Sequence, residues 1–585
     1  MSTTQLCHRS FLLVPRNQTL FALTLIAVLG LSGSPSGLFG LTIAAHPAQA
    51  HETSHYAATP SQTDAVTAPL FDHLGDHHHP ISTNNPLTQR YFDQGLILAY
   101  GFNHAEAARS FQEAARLDPD CAMCYWGIAY VLGPNINAAM ESDAVPDAWQ
   151  ALQTAIELSP FASEPERAYI QALATRYTLE PVEDRSLLNL AYANAMREVA
   201  QQHPDDLDAA TLFAEALMDT MPWDYWQENG ELKPEAVEIV TTLESVLQQN
   251  PDHPGALHLY IHAVEAERPN LAVEAADRLR ELNITAGHLA HMPSHIYIRV
   301  GRYHDAVMAN QQASDIDQHY AYQHPSDGIY PIAYMPHNHH FLWYAATMAG
   351  ESEVALEAAY RTAELADQEL MREPGYGTFQ HYYSIPLYTF VKFGMWDEIL
   401  AQPAPSADLV YPNGVWHFAR GMAFTAQGQL DSAMQELEAL RSIAADPALD
   451  GVTIWDINTT AHLLNIATEM LAGEIVAKQG NYEQAIHHLQ AAIELEDSLN
   501  YYEPALWYSP VRQALGAVLL QADQPAEAEQ VYLQDLAIYP ENGWSLRGLM
   551  QSLFAQDKTE EAQAVQQRFE EAWRYADVTL TASRF

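Results

Sequence analysis

Three short stretches of this chain carry histidine at the spacing of metal ligands. They read His258-Leu-Tyr-Ile-His262-Ala-Val-Glu265, His288-Leu-Ala-His291-Met-Pro-Ser-His295 and His337-Asn-His339-His340. On a helix turning about 100° per residue, His258, His262 and Glu265 share one face, and so do His288, His291 and His295. A histidine pair at i, i+4 offers two ring nitrogens on one side, which suits Zn, Cu or Fe. His337 and His340 repeat the spacing of His288 and His291. The candidate ligands are therefore His258, His262, Glu265, His288, His291, His295, His337 and His340, with copper or zinc as the expected ion. Glu265 has three available roles: ligand, orienting partner of an imidazole, or general base if the centre is catalytic. The competing reading is structural, since a histidine on an apolar helical face is ordinarily a hydrogen-bonded core residue.

Neighbouring residues sharpen the question. Pro293 lacks a backbone donor and would disturb the middle of a helix. A helix that begins there leaves His288 and His291 on a preceding loop. Two of three Met-Pro pairs, Met292-Pro293 and Met335-Pro336, adjoin the histidines; the third is Met221-Pro222. Thioether beside imidazole suits copper, and Met equally fills irregular core gaps. The aromatic stretch Trp223-Asp-Tyr-Trp226 and the insertion at 320–334 are candidate walls of a pocket over the histidines.

Cys121-Ala-Met-Cys124 is a second candidate site, placed after Pro119 where a helix should begin. Haem attachment requires a histidine where Tyr125 stands, and no βαβ pattern supports a thioredoxin-type role. A disulfide is the expectation outside the cytoplasm, against a soft-metal pair or two buried small residues. No nucleophile elbow, phosphate loop, nucleotide fingerprint or Ser/His/Asp arrangement is legible.

The elements that must position these residues repeat along the chain. Tyr91, Gly95, Leu98, Ala107, Phe111, Ala114 and Pro119 fall at the signature places of a unit of about 34 residues. The pattern recurs at Gly421, Phe424 and Ala433, at Gly473, Val476, Ala485 and Ala492, and at Gly516, Leu519, Ala528, Tyr532 and Pro540. This resembles the tetratricopeptide repeat (TPR). The resemblance implies an all-α solenoid of antiparallel helix pairs with no substantial sheet, whose first helices line a concave surface. The three histidine stretches fall in first helices of consecutive units, aligned by Ala272, Ala306 and Ala355. Neighbouring helix axes lie about 8–10 Å apart, so imidazoles from two of them could meet around one ion. The segment 287–306 is similar to stretches of exported bacterial TPR proteins of unestablished activity.

The amino terminus explains where such a protein would work. Residues 1–50 hold Arg9 and Arg16, no Asp or Glu, an apolar run from Thr19 to Leu31, and Ala48-Gln49-Ala50. That order is a secretory signal, too short in its apolar run for a spanning helix, which needs about 20 residues. Residues 51–85, with Asp76-His77-His78-His79, read as a flexible leader whose histidines could catch Cu(II) or Zn(II) weakly, the favoured reading being a solvated tract with no fixed geometry. Residues 86–385 read as repeats with the histidine clusters and insertions, and 386–585 as C-terminal repeats. The expected location is periplasmic or extracellular, with no stable membrane insertion after cleavage.

Charge narrows the partners. Lys and Arg number 27 against 74 Asp and Glu, a net −47. Such a surface repels phosphate backbones, so nucleic acid is excluded as a partner, while cations and basic peptides fit. Two functions follow. One is an exported solenoid that binds a protein or peptide on its concave face and a transition metal through the histidines. The other is a metal-dependent hydrolytic or oxidative enzyme using the same cluster, with Glu265 as base.

Overall fold

The computed structural model describes residues 68–323 and 328–585. Residues 1–50, read above as a secretory signal, leader residues 51–67 and insertion residues 324–327 lie outside the described residues.

Helix follows helix along the chain, and consecutive helices pack as pairs. Pro86–Tyr100 packs on His104–Leu117, Met335–Ala349 on Ser352–Leu365, Thr460–Lys478 on Tyr482–Asp497, and Gly543–Ala555 on Thr559–Ala572. Short turns join the members of each of these pairs, so they run antiparallel. Among the described residues the only sheet is a two-stranded ribbon, Thr453–Ile454 with Asn458–Thr459. No described helix is long and apolar enough to cross a membrane. This is the expected all-α, tetratricopeptide-type helical-repeat solenoid.

The repeat signature has a packing cause. The Phe111 ring sits where a Cβ on either Gly95 or Gly127 would be, so three successive helices close on one aromatic side chain. Tyr532 does the same between Gly516 and Gly548. A side chain larger than hydrogen at these glycines would drive the helices apart. Helix starts are set locally. Asn85 caps Pro86–Tyr100 by accepting from Leu87 N–H, and Asn103 caps His104–Leu117 by accepting from Glu106 N–H.

The described repeats form a single compact unit with one dominant core. Helix Gly377–Lys392 runs across positions 385 and 386, with Pro386 inside it. Late repeats also pack back on earlier ones. Trp544 Nε1 donates to Thr347 O at 3.0 Å, and the Asp577 carboxylate accepts from Ser352 N–H and Glu353 N–H.

The leader expectation is corrected for its described part. Residues 68–85 are irregular but pinned to the repeats. Thr285 N–H donates to His73 O, Phe71 N–H donates to Gln94 Oε1, and Ser82 N–H donates to Glu166 Oε1 at 2.5 Å. Their backbone groups find side-chain partners that a composition-based reading of the segment does not reveal.

Candidate metal centre

Each histidine stretch is helical. Pro254–Val264 begins with Pro in its first turn and ends on Glu265. Gly287–His291 and Pro293–Arg299 are separated only by Met292, whose φ of −51° and ψ of −37° keep the chain on a helical path. Pro293 thus interrupts the hydrogen bonding without turning His288 and His291 onto a loop. Met335–Ala349 follows one π-helical turn, Tyr330–Tyr334. Gly287 is obligatory for space, since a Cβ there would overlap the Asp317 carboxylate. That carboxylate accepts from Tyr330 O–H at 2.9 Å and Asn338 Nδ2–H at 2.7 Å, while the Tyr330 hydroxyl oxygen accepts from His288 N–H. One buried acid therefore ties the first histidine of the second stretch to the helix carrying the third. Burial pushes its pKa up to about 7, although both hydrogen bonds hold it down.

The helices bring six histidines together in one interior cluster. His258, His262 and His288 offer ligand atoms within 4.8 Å of one another, as do His291, His295 and His337. Glu265 joins His262 and His295 in a third such group. Five of the six rings are buried, and His337 is half-buried. Between the triads, the His262 and His295 ring centres lie 5.2 Å apart and those of His288 and His291 5.4 Å apart.

Hydrogen bonds decide which nitrogen each ring presents. His258 Nδ1–H donates to Tyr100 O at 2.5 Å, leaving Nε2 without a partner in the protein. His291 Nδ1–H donates to Asn310 Oδ1 at 2.6 Å; Asn310 Nδ2 donates to Ala306 O, which fixes the amide's orientation. His295 Nδ1–H donates to Glu503 Oε2 at 2.8 Å and lies 3.0 Å from Glu265 Oε2. His262 Nδ1 is 3.3 Å from the same Glu265 oxygen, within ion-pair reach but not aligned as a hydrogen bond. Neither ring nitrogen of His288 has a protein partner. An oxygen acceptor at Nδ1 with Nε2 turned inward is how proteins orient imidazole ligands. The Nε2 atoms of His291 and His295 stand 3.0 Å apart. A proton between them makes this a hydrogen bond, and the His295 ring, whose Nδ1–H already faces the carboxylates, supplies it from Nε2 to His291 Nε2.

The electrostatics divide the six rings into five held neutral and one, His295, held protonated by its carboxylates. Burial, and then the neighbouring imidazoles, hold His258, His262, His288, His291 and His337 well below the usual histidine range. They are neutral at physiological pH, the form that binds metals. Burial also pulls His295 down, but the Glu265 and Glu503 carboxylates prevail and raise it to about 10.

Aromatic rings wall the cluster. Phe102 lies 4.5 Å from His258 and 5.5 Å from His288, ring centre to ring centre. Its φ of 55° is left-handed, a conformation costing a non-glycine residue about 1–3 kcal/mol. The strain places a large ring where the turn's usual glycine or asparagine could not reach. Tyr334 stands 4.8 Å from His288, Phe341 4.4 Å from His295, and Trp223 5.0 Å from His262. Trp223 and Tyr334 come from the two aromatic stretches singled out in the sequence. Met292 and Met335 are buried among the apolar core residues.

One expected ligand is corrected. His340 lies three residues beyond His337 and faces the next layer, stacked on Trp343 and edge-on to His381 at 5.5 Å. It belongs to none of the convergent groups. Glu265 lies on the Nδ1 side of both His262 and His295, without a hydrogen bond to His262. Sequence reasoning missed Glu503, Asn310 and Phe102. Only Phe102 left a signal, as a bulky residue inside the turn Gly101-Phe-Asn-His.

Two further features flank the cluster. Asp208 accepts hydrogen bonds from His77 Nε2, His79 Nδ1 and Tyr100 O–H, and lies 3.2 Å from His253 Nε2. His253 Nδ1 accepts from Ala256 N–H, so the neutral ring keeps its proton on Nε2 and points it at Asp208. That tautomer makes this group a hydrogen-bonded clasp on the leader rather than a set of free ligands. Beyond Glu503, a cavity of about 360 Å³ is lined by Arg299, Tyr344, Glu496, Tyr501, Trp507 and Tyr539 among others. Cys121 and Cys124 form a buried disulfide at the start of helix Ala122–Val131, the expected outcome for that pair.

No family model matches the chain, and no curated protein matches it. Among solved structures it is similar to a human IFIT1 dimer with m7Gppp-AAAA, at 10% identity and a TM-score of 0.27, covering 85% of this chain and 92% of that one. It is also similar to the P58(IPK) TPR domain, at 13% identity and a TM-score of 0.23, covering 83% and 98%. Likenesses this loose carry no functional information.

Proposed function

We propose that this chain is an exported helical-repeat protein whose functional centre is a transition-metal site in the interior histidine cluster. The observation that carries the reading is the convergence of buried imidazoles from separate helices, with orphaned nitrogens on His258, His262 and His288; an ion at His295 would displace the proton that its carboxylates hold there. A buried polar group without a partner costs about 1–3 kcal/mol. His262 and His288 each carry two such nitrogens and His258 one. An ion would satisfy several of them at once. An all-imidazole set suits copper or zinc, and the carboxylates behind His262 and His295 would raise the basicity of those rings.

Metal analysis of protein purified from its native compartment, without chelators, tests this. Copper or zinc should co-purify, and His262→Ala combined with His295→Ala should remove it while circular dichroism stays helical. Wild-type protein with no metal above background, or a double variant with undiminished content, would sink the proposal. Export is tested separately by N-terminal sequencing. The mature chain should begin near His51, and soluble protein that starts at Met1 would refute cleavage.

A second reading, a metal-dependent hydrolytic or oxidative enzyme, is favoured by each triad supplying only three protein ligands. Structural zinc sites fill all four positions, whereas catalytic ones leave one open. In this reading Glu265, beside two of the imidazoles, is the candidate base. Binding of a protein or peptide on the repeat surface fits the usual work of such solenoids, and a net −47 favours a basic partner. A pull-down with basic and acidic peptide pools would separate charge-driven binding from none.

A further inference from the structure

We infer that the centre is binuclear, with one ion on His258, His262 and His288 and a second on His291, His295 and His337. The open position of each would share a small oxygen ligand such as water or hydroxide. This rests on the metal-binding reading above and goes beyond it in stoichiometry and chemistry.

The two triads have no residue in common, and each is internally convergent. Six imidazoles exceed what one four-coordinate zinc or copper ion accepts. Nitrogens bound to a single tetrahedral ion at about 2.0–2.1 Å lie roughly 3.3 Å apart. The His291 and His295 Nε2 atoms stand 3.0 Å apart across a hydrogen bond, close enough that an ion displacing the shared proton would hold both. His258, on the far side of His262 and His288, lies outside that pair. Its ring centre is 4.8 Å from that of His262 and 5.0 Å from that of His288. The triads adjoin along two ring pairs, His262 with His295 and His288 with His291.

Glu265 gives the pairing a structural basis. One carboxylate oxygen lies 3.3 Å from His262 Nδ1 in the first triad and 3.0 Å from His295 Nδ1 in the second. A single acid therefore stands within 3.3 Å of one ligand of each ion. Three protein ligands per ion leave an open position on each, and paired ions with open positions clamp an oxygen from both sides. The half-buried His337 puts the second triad nearer solvent, the side from which a small ligand could enter.

The competing arrangement is a single ion on the opposite edges of the rings, held by His262, Glu265 and His295. The test uses the full mature chain, stripped with chelator, reloaded with Cu(II) or Zn(II), desalted, and measured for metal per chain. Two equivalents are expected for wild type. One is expected for His258→Ala with His288→Ala, and one for His291→Ala with His337→Ala. Copper-loaded wild type should also show an electron paramagnetic resonance signal well below its chemical copper content, because neighbouring Cu(II) ions couple. One equivalent in wild type overturns the binuclear assignment but leaves metal binding standing. Zero overturns both. A double variant that is folded by circular dichroism yet binds no metal, or still binds two, also overturns the two-site assignment. If either alanine pair fails to fold, the corresponding glutamine pair takes its place under the same criteria.

Discussion

His295 and Glu503 are 208 positions apart in the chain, yet the imidazole Nδ1 and a carboxylate oxygen lie 2.8 Å apart in the interior. A connecting segment between Tyr482–Asp497 and Val511–Gln521 thus completes a site built by helices much earlier in the sequence. Replacing an acid that orients a ligating imidazole typically costs about 10–100-fold in metal affinity. Glu503→Gln should weaken copper or zinc binding by that order in competition against a chelator, with helical content unchanged. Glu265→Gln should weaken it at least as much, because it touches both triads. Wild-type affinity in both variants would remove the orienting role.

His340 offers the opposite expectation. Its ring stacks on Trp343 and meets His381 and Tyr382, away from the convergent six. His340→Ala should therefore leave metal content per chain unchanged, while His288→Ala lowers it. The comparison is informative because both rings are buried and lack protein partners for their nitrogens. Loss of metal from His340→Ala at intact folding would show that the cluster extends into the next layer.

Gly287→Ala probes how the second stretch is held. The added methyl would displace Asp317, whose carboxylate binds Tyr330 and Asn338. Overpacking of this kind costs about 1–3 kcal/mol. A lowered melting temperature is expected together with reduced metal content, since Asn338 sits beside His337 and Tyr330 touches the His288 backbone. A melting temperature equal to wild type would mean that the Asp317 network tolerates displacement.

The repeat was legible because its signature is local. Gly95, Phe111 and Gly127 are a close approach of helices, and Gly516, Tyr532 and Gly548 repeat it. The histidine triads were legible for a related reason, since i, i+3 and i, i+4 spacings project onto helix faces. Glu503 and Asn310 left no such trace. They reach the site through tertiary packing, and a glutamate in a connecting segment looks like any solvated acid. His340 was over-read because spacing gives a face and not the neighbour that face meets. The leader was misread in its described part because its partners, Asp208 and Glu166, are supplied by helices more than 80 positions away.

The last prediction concerns that leader. Asp208 receives His77, His79 and Tyr100 directly, with His253 Nε2 3.2 Å away, and so pins residues 77–79 against helix Leu207–Met218. Burial pushes the Asp208 carboxyl up, but hydrogen bonds from His253, His77 and His79 together hold it well below the usual carboxylate range. A depressed acid contributes stability above its unfolded pKa and loses it as pH falls through its folded pKa. Burial pulls the His79 imidazole down, yet its bond to Asp208 leaves it above the usual histidine value. A raised histidine contributes fully below its unfolded pKa of 6.5 and loses that contribution as pH rises through its folded pKa. The clasp should therefore be strongest between those two limits, loosening in strong acid as Asp208 protonates and at alkaline pH as His79 gives up its charge. Amide hydrogen exchange of residues 68–85, corrected for the intrinsic rate at each pH, should show greatest protection in that window. Asp208→Ala, which removes one partner of a buried ionic group and should cost about 3–5 kcal/mol, should abolish the window and expose the segment at every pH. Protection that is flat with pH in wild type, or that survives in Asp208→Ala, would show that apolar contacts and not the clasp hold the leader in place.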